Sequence, residues 1–276
     1  MTVTGLRAAE SSTTATRPDG RGAAGPVSMI ERMTLILDAF DAATPTLSLL
    51  DITTRTGLPR STVHRILDQM IRLRWLAHTV GGYRLGLRAL ELGGVAAGHN
   101  EIRDAAAPLL HDLAQRTGLV AHLAVLDGRE VVYLDKTAGR TAPPVPTRLG
   151  GRLPAHATAV GKAMLAGLEP PIAEAALRAR LPRLTNRTLW EPDTLQREFT
   201  QIRLRQGIAV DREESMPGIA CVAAPVRNRG LAPAALSLTG RADAMSFDRL
   251  ARFVLDAARE ITRTLAPATR VTGTGH

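Results

Sequence analysis

The first regular pattern in the chain is a helical spacing of apolar residues, which starts at Met29 and recurs in three segments. The segments lie at about 29–40, 48–55 and 59–73, and each predicts an amphipathic helix. The third is the clearest, because apolar side chains fill the i, i+3, i+4, i+7 and i+8 positions of one face. That face consists of Val63, Ile66, Leu67, Met70 and Ile71. Two short apolar runs on either side of Gly81 and Gly82 then predict a β-hairpin.

The second and third segments are separated by Gly57, which allows the tight turn of a helix-turn-helix. Three helices followed by a hairpin predict a winged helix-turn-helix over residues 28–86, with the third helix in the major groove of DNA. Its polar side chains would reach base edges and phosphates: Arg60, Ser61, Thr62, His64 and Arg65. Arg84, on the hairpin, would meet the flanking backbone or the minor groove. A plain three-helix domain with a solvated charged face is the alternative.

Charge distribution favours nucleic acid as the partner of this segment. The chain carries a net charge of +9, and only two of its 35 basic residues are lysines. A genome that favours arginine would explain much of that total. Between Thr54 and Arg88, however, seven arginines face a single acid, Asp68. The arginines are Arg55, Arg60, Arg65, Arg72, Arg74, Arg84 and Arg88. A local basic patch of this size is typical of a DNA-binding surface.

The remainder of the chain has the pattern of a second domain of the α+β class. Residues 87–99 predict a linker helix, and residues 100–266 alternate helical and strand patterns. Consecutive strands with helices before and after them predict an antiparallel sheet. The segment 137–154, rich in proline, glycine and threonine, predicts a loop. Residues 1–27 and 267–276 are mostly small and polar, and we expect them to be disordered tails.

Few residues in the chain could perform chemistry. Cys221 is the one cysteine, so neither an internal disulfide nor a cysteine-built zinc site is possible. Gly161 and Lys162 lack the upstream glycine and the following Ser or Thr of a phosphate-binding loop. The sequence therefore predicts no cofactor, no metal and no enzymatic activity. It also shows no secretory signal and no apolar run of about 18 residues, so we expect a cytoplasmic protein without a membrane partner.

Five motifs, in this order, resemble those of the IclR family of bacterial transcription regulators. They are TGLPRSTVHR at 56–65, YRLG at 83–86, GRLPAHATAVGKA at 151–163, DREE at 211–214 and CVAAPVR at 221–227. The resemblance covers about residues 28–266. It implies a winged helix-turn-helix, a linker helix and a GAF-like effector-binding domain.

The resemblance also implies how such a protein acts. Members of the family are dimers or tetramers that bind palindromic promoter sites in double-stranded DNA, which associates them with the nucleoid. A small organic or aromatic acid changes their affinity for DNA or their contact with RNA polymerase. Repression, often of a catabolic operon, is the commoner mode.

The family's effector pocket, carried over by motif, implies six residues of this chain: Ala159, Val160, Asp211, Cys221, Ser237 and Thr239. The start of a helix at 158–161 would offer backbone N–H groups to a carboxylate. Ser237 and Thr239 share one strand face and could donate hydroxyl hydrogen bonds, and Asp211 could accept one. Taken without the resemblance, Cys221 would be a small buried apolar residue, and the carboxylates at 211–214 would lie in a solvated turn.

Two other functions are compatible with the sequence. One is an enzyme or small-molecule sensor that uses the helix-turn-helix as an adaptor. The other is a constitutive architectural DNA-binding protein without an effector. The lack of a catalytic constellation disfavours the first, and a second domain larger than dimerisation requires disfavours the second.

Overall fold

The computed structural model describes residues 28–98, 100–227 and 233–266. Two compact units divide the chain, Met1–Val95 and Ala96–His276. The tails predicted at 1–27 and 267–276 lie outside the described residues, as does His99 in the predicted linker.

The first unit contains three helices, a small sheet and the start of a fourth helix. These elements are α1 (Met29–Asp38), β1 (Thr46–Leu47), α2 (Leu49–Thr56), α3 (Arg60–Arg72), β2 (Leu76–Thr79), β3 (Gly82–Leu85) and α4 (Leu87–Gly98). Ser28 and Ser48 begin α1 and α2 with capping boxes, which satisfy N–H groups that have no partner inside a helix. Gly57 ends α2 with a φ of 67°, a conformation that glycine adopts without strain.

The apolar stripe of α3 fixes this helix in the core of the first unit. Val63 and Leu67 are fully buried, and they belong to a cluster that includes Ile36 of α1 and Ile52 of α2. The sheet has the order β1-β3-β2, and both pairings are antiparallel. The helices and hairpin predicted from the sequence are therefore confirmed, and the two-residue strand β1 adds a third strand to the wing.

The second unit is built on a six-stranded antiparallel sheet of order β6-β5-β4-β9-β8-β7. Its strands are β4 (Val120–Asp127), β5 (Glu130–Ala138), β6 (Arg152–Pro154), β7 (Ala209–Arg212), β8 (Ile219–Val226) and β9 (Ala234–Arg241). Its helices are α5 (Glu101–Thr117), α6 (Ala159–Ala166), α7 (Pro170–Leu177), α8 (Pro192–Leu204) and α9 (Phe247–Thr264). The α+β class and the antiparallel sheet are thus as predicted.

Each face of this sheet carries its own hydrophobic core. Side chains of α5 and α9, such as Leu110 and Val254, pack on one face. Side chains of α6 and α8, such as Met164 and Phe199, pack on the other. The strands therefore have buried residues on both faces, and β9 is buried from Ala234 to Gly240.

The segment 137–154, predicted as a loop, includes the end of β5 and all of β6. Strand β6 is three residues long and lies at the edge of the sheet, where it pairs with β5, so its conformation depends on a neighbouring strand more than on its own pattern. Helix α7 begins with two prolines, which fit the first turn of a helix because no N–H partner is needed there.

In the described ranges, no helix combines the length and the apolar character that crossing a membrane requires.

Helix α6 packs directly against the 3-10 turn at Ala155–Ala157 that precedes it, because Gly161 has no side chain. A Cβ at Gly161 would lie 2.1 Å from the carbonyl oxygen of Ala155 and 2.4 Å from its Cα. We expect Gly161→Ala to destabilise the second unit by about 1–3 kcal/mol, the typical cost of overpacking.

Gly167→Ala is the matched control, because a Cβ there comes no closer than 3.4 Å to another atom. The measurement is urea unfolding followed by fluorescence in a Trp75→Phe background, which leaves Trp190 of the second unit as the one tryptophan. Equal stabilities of the two variants would contradict the packing argument.

Candidate functional site

The residues predicted to read DNA lie on the solvent-facing side of α3. Arg60, Ser61, His64 and Arg65 are exposed and Thr62 is half-buried, all on the first half of the helix. The opposite side is anchored by the buried stripe described above. The helix can therefore present these side chains to a groove without losing its contacts with the domain.

The seven arginines of the basic patch divide into two groups. Arg55 donates to the carbonyl oxygen of Ala39 at 2.8 Å, so it holds α2 against the end of α1. Arg74 and Arg88 pair with Glu91 of α4 at 3.7 and 3.4 Å. Within the described residues, the side chains of the remaining four have neither a hydrogen bond nor an ion pair: Arg60, Arg65, Arg72 and Arg84. Three of these four lie on α3 and one on the wing, so this surface can neutralise phosphates.

One acid lies on the exposed side of α3. Asp68 lies one helical turn from His64, with 3.2 Å between His64 Nδ1 and Asp68 Oδ2. This contact orients the imidazole and leaves its Nε2 available to a groove. Arg84, in the middle strand of the three-stranded sheet, pairs in register with Thr46 and Ala77 and is exposed.

The second unit contains a cavity of about 180 Å³ between the sheet and the segment that joins β5 to β6. Polar side chains from β4, β5, β8 and β9 and from two loops line it: His122, Tyr133, Thr147, Ser215, Cys221 and Thr239. A wider groove of about 700 Å³ opens nearby, but two of its arginines, Arg187 and Arg241, are paired with Glu213 and Asp243. The smaller cavity is the better candidate site, because convergent polar groups in a narrower, more sheltered space fix a ligand's orientation.

A chain of hydrogen bonds crosses the cavity wall. His122 Nε2 lies 2.8 Å from Thr147 Oγ1, and its Nδ1 lies 3.3 Å from Thr239 Oγ1. Thr239 donates to the sulfur of Cys221 at 3.2 Å. Burial lowers the pKa of His122 to about 3, with a smaller contribution from the nearby Lys136. The imidazole is therefore neutral at pH 7, with one nitrogen donating and the other accepting.

Burial also sets the state of the other ionisable groups in the wall. It raises the pKa of the Cys221 thiol and of the Tyr133 hydroxyl above their usual values. Both groups are protonated at neutral pH, so Cys221 lacks the thiolate that nucleophilic chemistry requires. The rings of Tyr133 and His122 lie 5.1 Å apart and form an aromatic corner.

Two cations border the cavity, and they differ in their partners. Arg152 pairs with Asp127 and Glu130, which neutralise it. The exposed side chain of Arg148 has no ion-pair partner in the part of the chain that the structure describes. Arg148 can therefore meet the negative charge of a ligand.

Of the six predicted effector residues, Cys221 and Thr239 line this cavity. Ala159 and Val160 are buried at the start of α6, where the Thr158 hydroxyl accepts from the N–H of Gly161 at 3.1 Å. That helix start is capped and covered, so its N–H groups do not open into the cavity as the sequence suggested. Ser237 is buried on β9 beside His122, its register partner.

Asp211 supports the turn beside the cavity. Its carboxylate accepts from the backbone N–H of Glu214 and from the hydroxyl of Ser215, both at 2.6 Å. Burial raises its pKa, while these hydrogen bonds and Lys162 act in the opposite direction. The prediction of a solvated turn at 211–214 is wrong for Asp211 and Glu214, which are both buried.

The burial of this turn depends on Lys162, whose role the sequence did not reveal. The fully buried ammonium of Lys162 lies 2.5 Å from Glu214 Oε1 and 3.8 Å from Glu198 Oε1. Burial raises the pKa of Glu214, and the charge of Lys162 opposes that rise. The pair thus joins α6 to the turn that carries Ser215 into the cavity.

Six polar or charged residues of the cavity lining were absent from the sequence-based site: His122, Tyr133, Thr147, Arg148, Arg152 and Ser215. A histidine inside the apolar run of β4 was the one local signal, because a buried polar side chain needs partners. No group of three or more His, Cys, Asp or Glu side chains that could hold a metal ion occurs in the described ranges.

Comparison with known proteins agrees with this geometry. A model of the IclR helix-turn-helix domain matches residues 29–79, and a model of the bacterial transcriptional regulator IclR C-terminal domain matches residues 95–263. The regulator XynR of Escherichia coli is 39% identical over 228 residues, which cover 79% of this chain and 88% of XynR. The regulator BhcR of Paracoccus denitrificans is 35% identical over 266 residues, covering 91% and 92% of the two chains.

Among solved structures, an IclR homologue from Microbacterium hydrocarbonoxydans, in complex with 4-hydroxybenzoate, superposes with a TM-score of 0.77. The two sequences are 29% identical, and the superposition covers 86% of this chain and 99% of the homologue. The C-terminal family model alone spans more than half of the sequence. The chain therefore belongs to the IclR family, whose members are bacterial transcriptional regulators and not enzymes.

Proposed function

We propose that this regulator binds a palindromic promoter site as a homo-oligomer, dimer or tetramer, and represses transcription in response to a small organic or aromatic acid. The observation that carries the proposal is the set of four unpaired arginines on α3 and the wing. The effector would change either the affinity for DNA or a contact with RNA polymerase. Because the proposed partner is promoter DNA, the protein would act in the bacterial cytoplasm, on the nucleoid.

The proposed DNA contacts follow from position on α3. Arg65 lies in the middle of the exposed side, where a guanidinium can bond the O6 and N7 atoms of a guanine. Arg72, two helical turns further on, and Arg84 on the wing would bind phosphates. Arg60, Ser61 and Thr62 begin the helix, where backbone N–H groups also favour a phosphate.

The proposed effector contacts follow from the cavity. Its volume is close to that of engineered apolar cavities of about 150 Å³ that hold benzene, so a ligand with one ring or less would fit. Tyr133 and His122 would flank such a ring, and Thr239 would bond a hydroxyl. Arg148 would bind the carboxylate, and the 4-hydroxybenzoate in the related structure has this chemistry.

The other predicted effector residues would act behind the wall. Ala159, Val160 and Ser237 would support the residues that touch the ligand, and Asp211 would hold the turn that presents Ser215. In this assignment Arg148 replaces the start of α6 as the anion-binding group.

Oligomerisation would use the apolar side chains of α4. Leu87 and Leu90 are 67% and 73% exposed among the residues that the structure describes. Two-fold pairing of helix-turn-helix domains would match a palindromic site.

We expect Arg65→Ala to weaken binding to the specific site by about 1–3 kcal/mol and to relax its base preference. Arg72→Ala should instead weaken binding to all sequences about equally and lower the salt dependence by roughly one phosphate contact. The measurement is fluorescence anisotropy with a site selected from a random duplex pool and with a scrambled duplex. Unchanged binding by Arg65→Ala would show that another side of α3 faces the DNA.

We expect Leu90→Glu to shift the oligomer toward monomer, because it places a charge in the proposed helix interface. Leu204→Glu on α8 is the matched control, since Leu204 is also 73% exposed. Sedimentation velocity at micromolar concentration measures the species present. A monomeric wild type, or equal effects of the two substitutions, would refute the assignment to α4.

We expect 4-hydroxybenzoate to bind at least about tenfold more tightly than 4-hydroxybenzamide, a difference of about 1.4 kcal/mol, because Arg148 meets the carboxylate. Arg148→Gln should remove that difference, whereas Arg140→Gln, an exposed arginine outside the cavity, should preserve it. Calorimetric titration of the full chain measures these affinities. Equal affinity for the acid and the amide in the wild type would contradict a role for Arg148.

A further inference from the structure

The cavity is crossed by a short segment, residues 145–148, which we name the strap. All four of its residues, Val145, Pro146, Thr147 and Arg148, line the cavity. The strap lies in a stretch with prolines at 143, 144 and 146, and proline lacks the N–H that would join a strand ladder.

The backbone of this stretch is fastened at its two ends only. Before it, the N–H of Thr141 donates to the carbonyl oxygen of Gly118 at 3.2 Å. After it, the N–H of Gly150 donates to the carbonyl oxygen of Tyr133 at 2.8 Å. The carbonyl oxygen of Arg148, the last strap residue, accepts from the N–H of Gly151 at 2.9 Å. Within the described residues, no backbone–backbone hydrogen bond involves residues 143–147. What holds the rest of the strap over the cavity must therefore come from side chains.

Two side chains of the sheet hold it. The ammonium of Lys136, on β5, donates to the carbonyl oxygens of Val145 and Thr147 at 2.9 and 2.7 Å. His122 bonds the hydroxyl of Thr147 at 2.8 Å. Hydrogen bonds from a charged donor are stronger than neutral ones, so Lys136 makes the larger contribution.

We infer that Lys136 is a positioning residue of the effector site, whose ammonium latches the strap and so narrows the opening of the cavity and keeps Arg148 at its rim. This inference rests on the proposed effector role of the cavity. The latch is placed where it controls both access to the cavity and the location of the proposed anion contact.

The position of Lys136 is itself fixed by its neighbour on β5. Asp135 accepts from the backbone N–H of Lys136 at 2.7 Å and pairs with Arg103 of α5, with 3.3 Å between Nε and Oδ2. Two adjacent residues of β5 thus make contacts on either side: Asp135 with the first turn of α5, and Lys136 with the strap.

The chain contains its own reporter of strap opening, because its single cysteine, Cys221, lines the cavity. Cys221 is partly exposed with the strap in place, so the wild-type rate of labelling by a thiol reagent is the baseline. When reclosing is fast, the increase above that baseline follows the population of the open state. We expect Lys136→Met to label with dithionitrobenzoate at least about tenfold faster than the wild type. Lys136→Arg, which keeps donors within reach of the carbonyl oxygens, should recover most of the protection.

Arg140→Gln is the control for loss of one positive charge near the same segment and should label at the wild-type rate. The free energy of unfolding, measured by Trp190 fluorescence in the Trp75→Phe background, separates strap opening from global unfolding. If Lys136→Met does not fold, Lys136→Gln gives the same comparison.

Faster labelling with unchanged unfolding free energy supports the latch. Wild-type labelling by Lys136→Met, or a rise matched by an equal loss of unfolding free energy, would overturn it. Labelling requires neither effector nor DNA, so a failure of the effector assignment would not change this outcome.

Discussion

The second unit depends on one buried charge. Helix α6 is buried along its whole length, and the ammonium of Lys162 lies in that environment with Glu214 as its close partner. Removing one member of a buried ion pair typically costs about 3–5 kcal/mol, because the other charge is left without compensation. The turn at 211–215 is therefore bound to α6, and through Ser215 it forms part of the cavity wall. The shape of the proposed effector site follows from the need to neutralise a lysine inside a hydrophobic core.

In the first unit, electrostatics divides the arginines between structure and recognition. Arg55, Arg74 and Arg88 contact acidic groups or a carbonyl oxygen of their own domain. The side chains of Arg60, Arg65, Arg72 and Arg84 project without an acidic partner. Like charges on one surface repel each other, and the binding of an anion relieves that repulsion. The net charge of the segment is therefore larger than the positive charge available to DNA. The arginines that form ion pairs are occupied, and those outside the ion pairs supply the charge that DNA can bind.

The sequence predicted most of the fold because its strongest signals are local. The period of α3, the turn at Gly57 and the hairpin signal at Gly81 and Gly82 each act within a few residues. Strand β1 and strand β6 could not be foreseen, because two or three residues acquire strand conformation only from a partner. The candidate site was predicted less completely for the same reason. Lys162 and Glu214 are far apart in the chain, and nothing near Glu214 indicates that a counter-charge will bury it.

The strand order also determines when the cavity can exist during synthesis. The centre of the sheet joins β4 to β9, the first long strand of the unit to its last, with Val120 opposite Thr239. Contacts of such large sequence separation form slowly, because a long loop must close first. The hairpin of β4 and β5 and the pair β7 and β8 can form as they leave the ribosome, but His122 has no Thr239 to bond until β9 has emerged. The helix-turn-helix, complete by Leu85, can therefore fold well before the pocket that is proposed to regulate it.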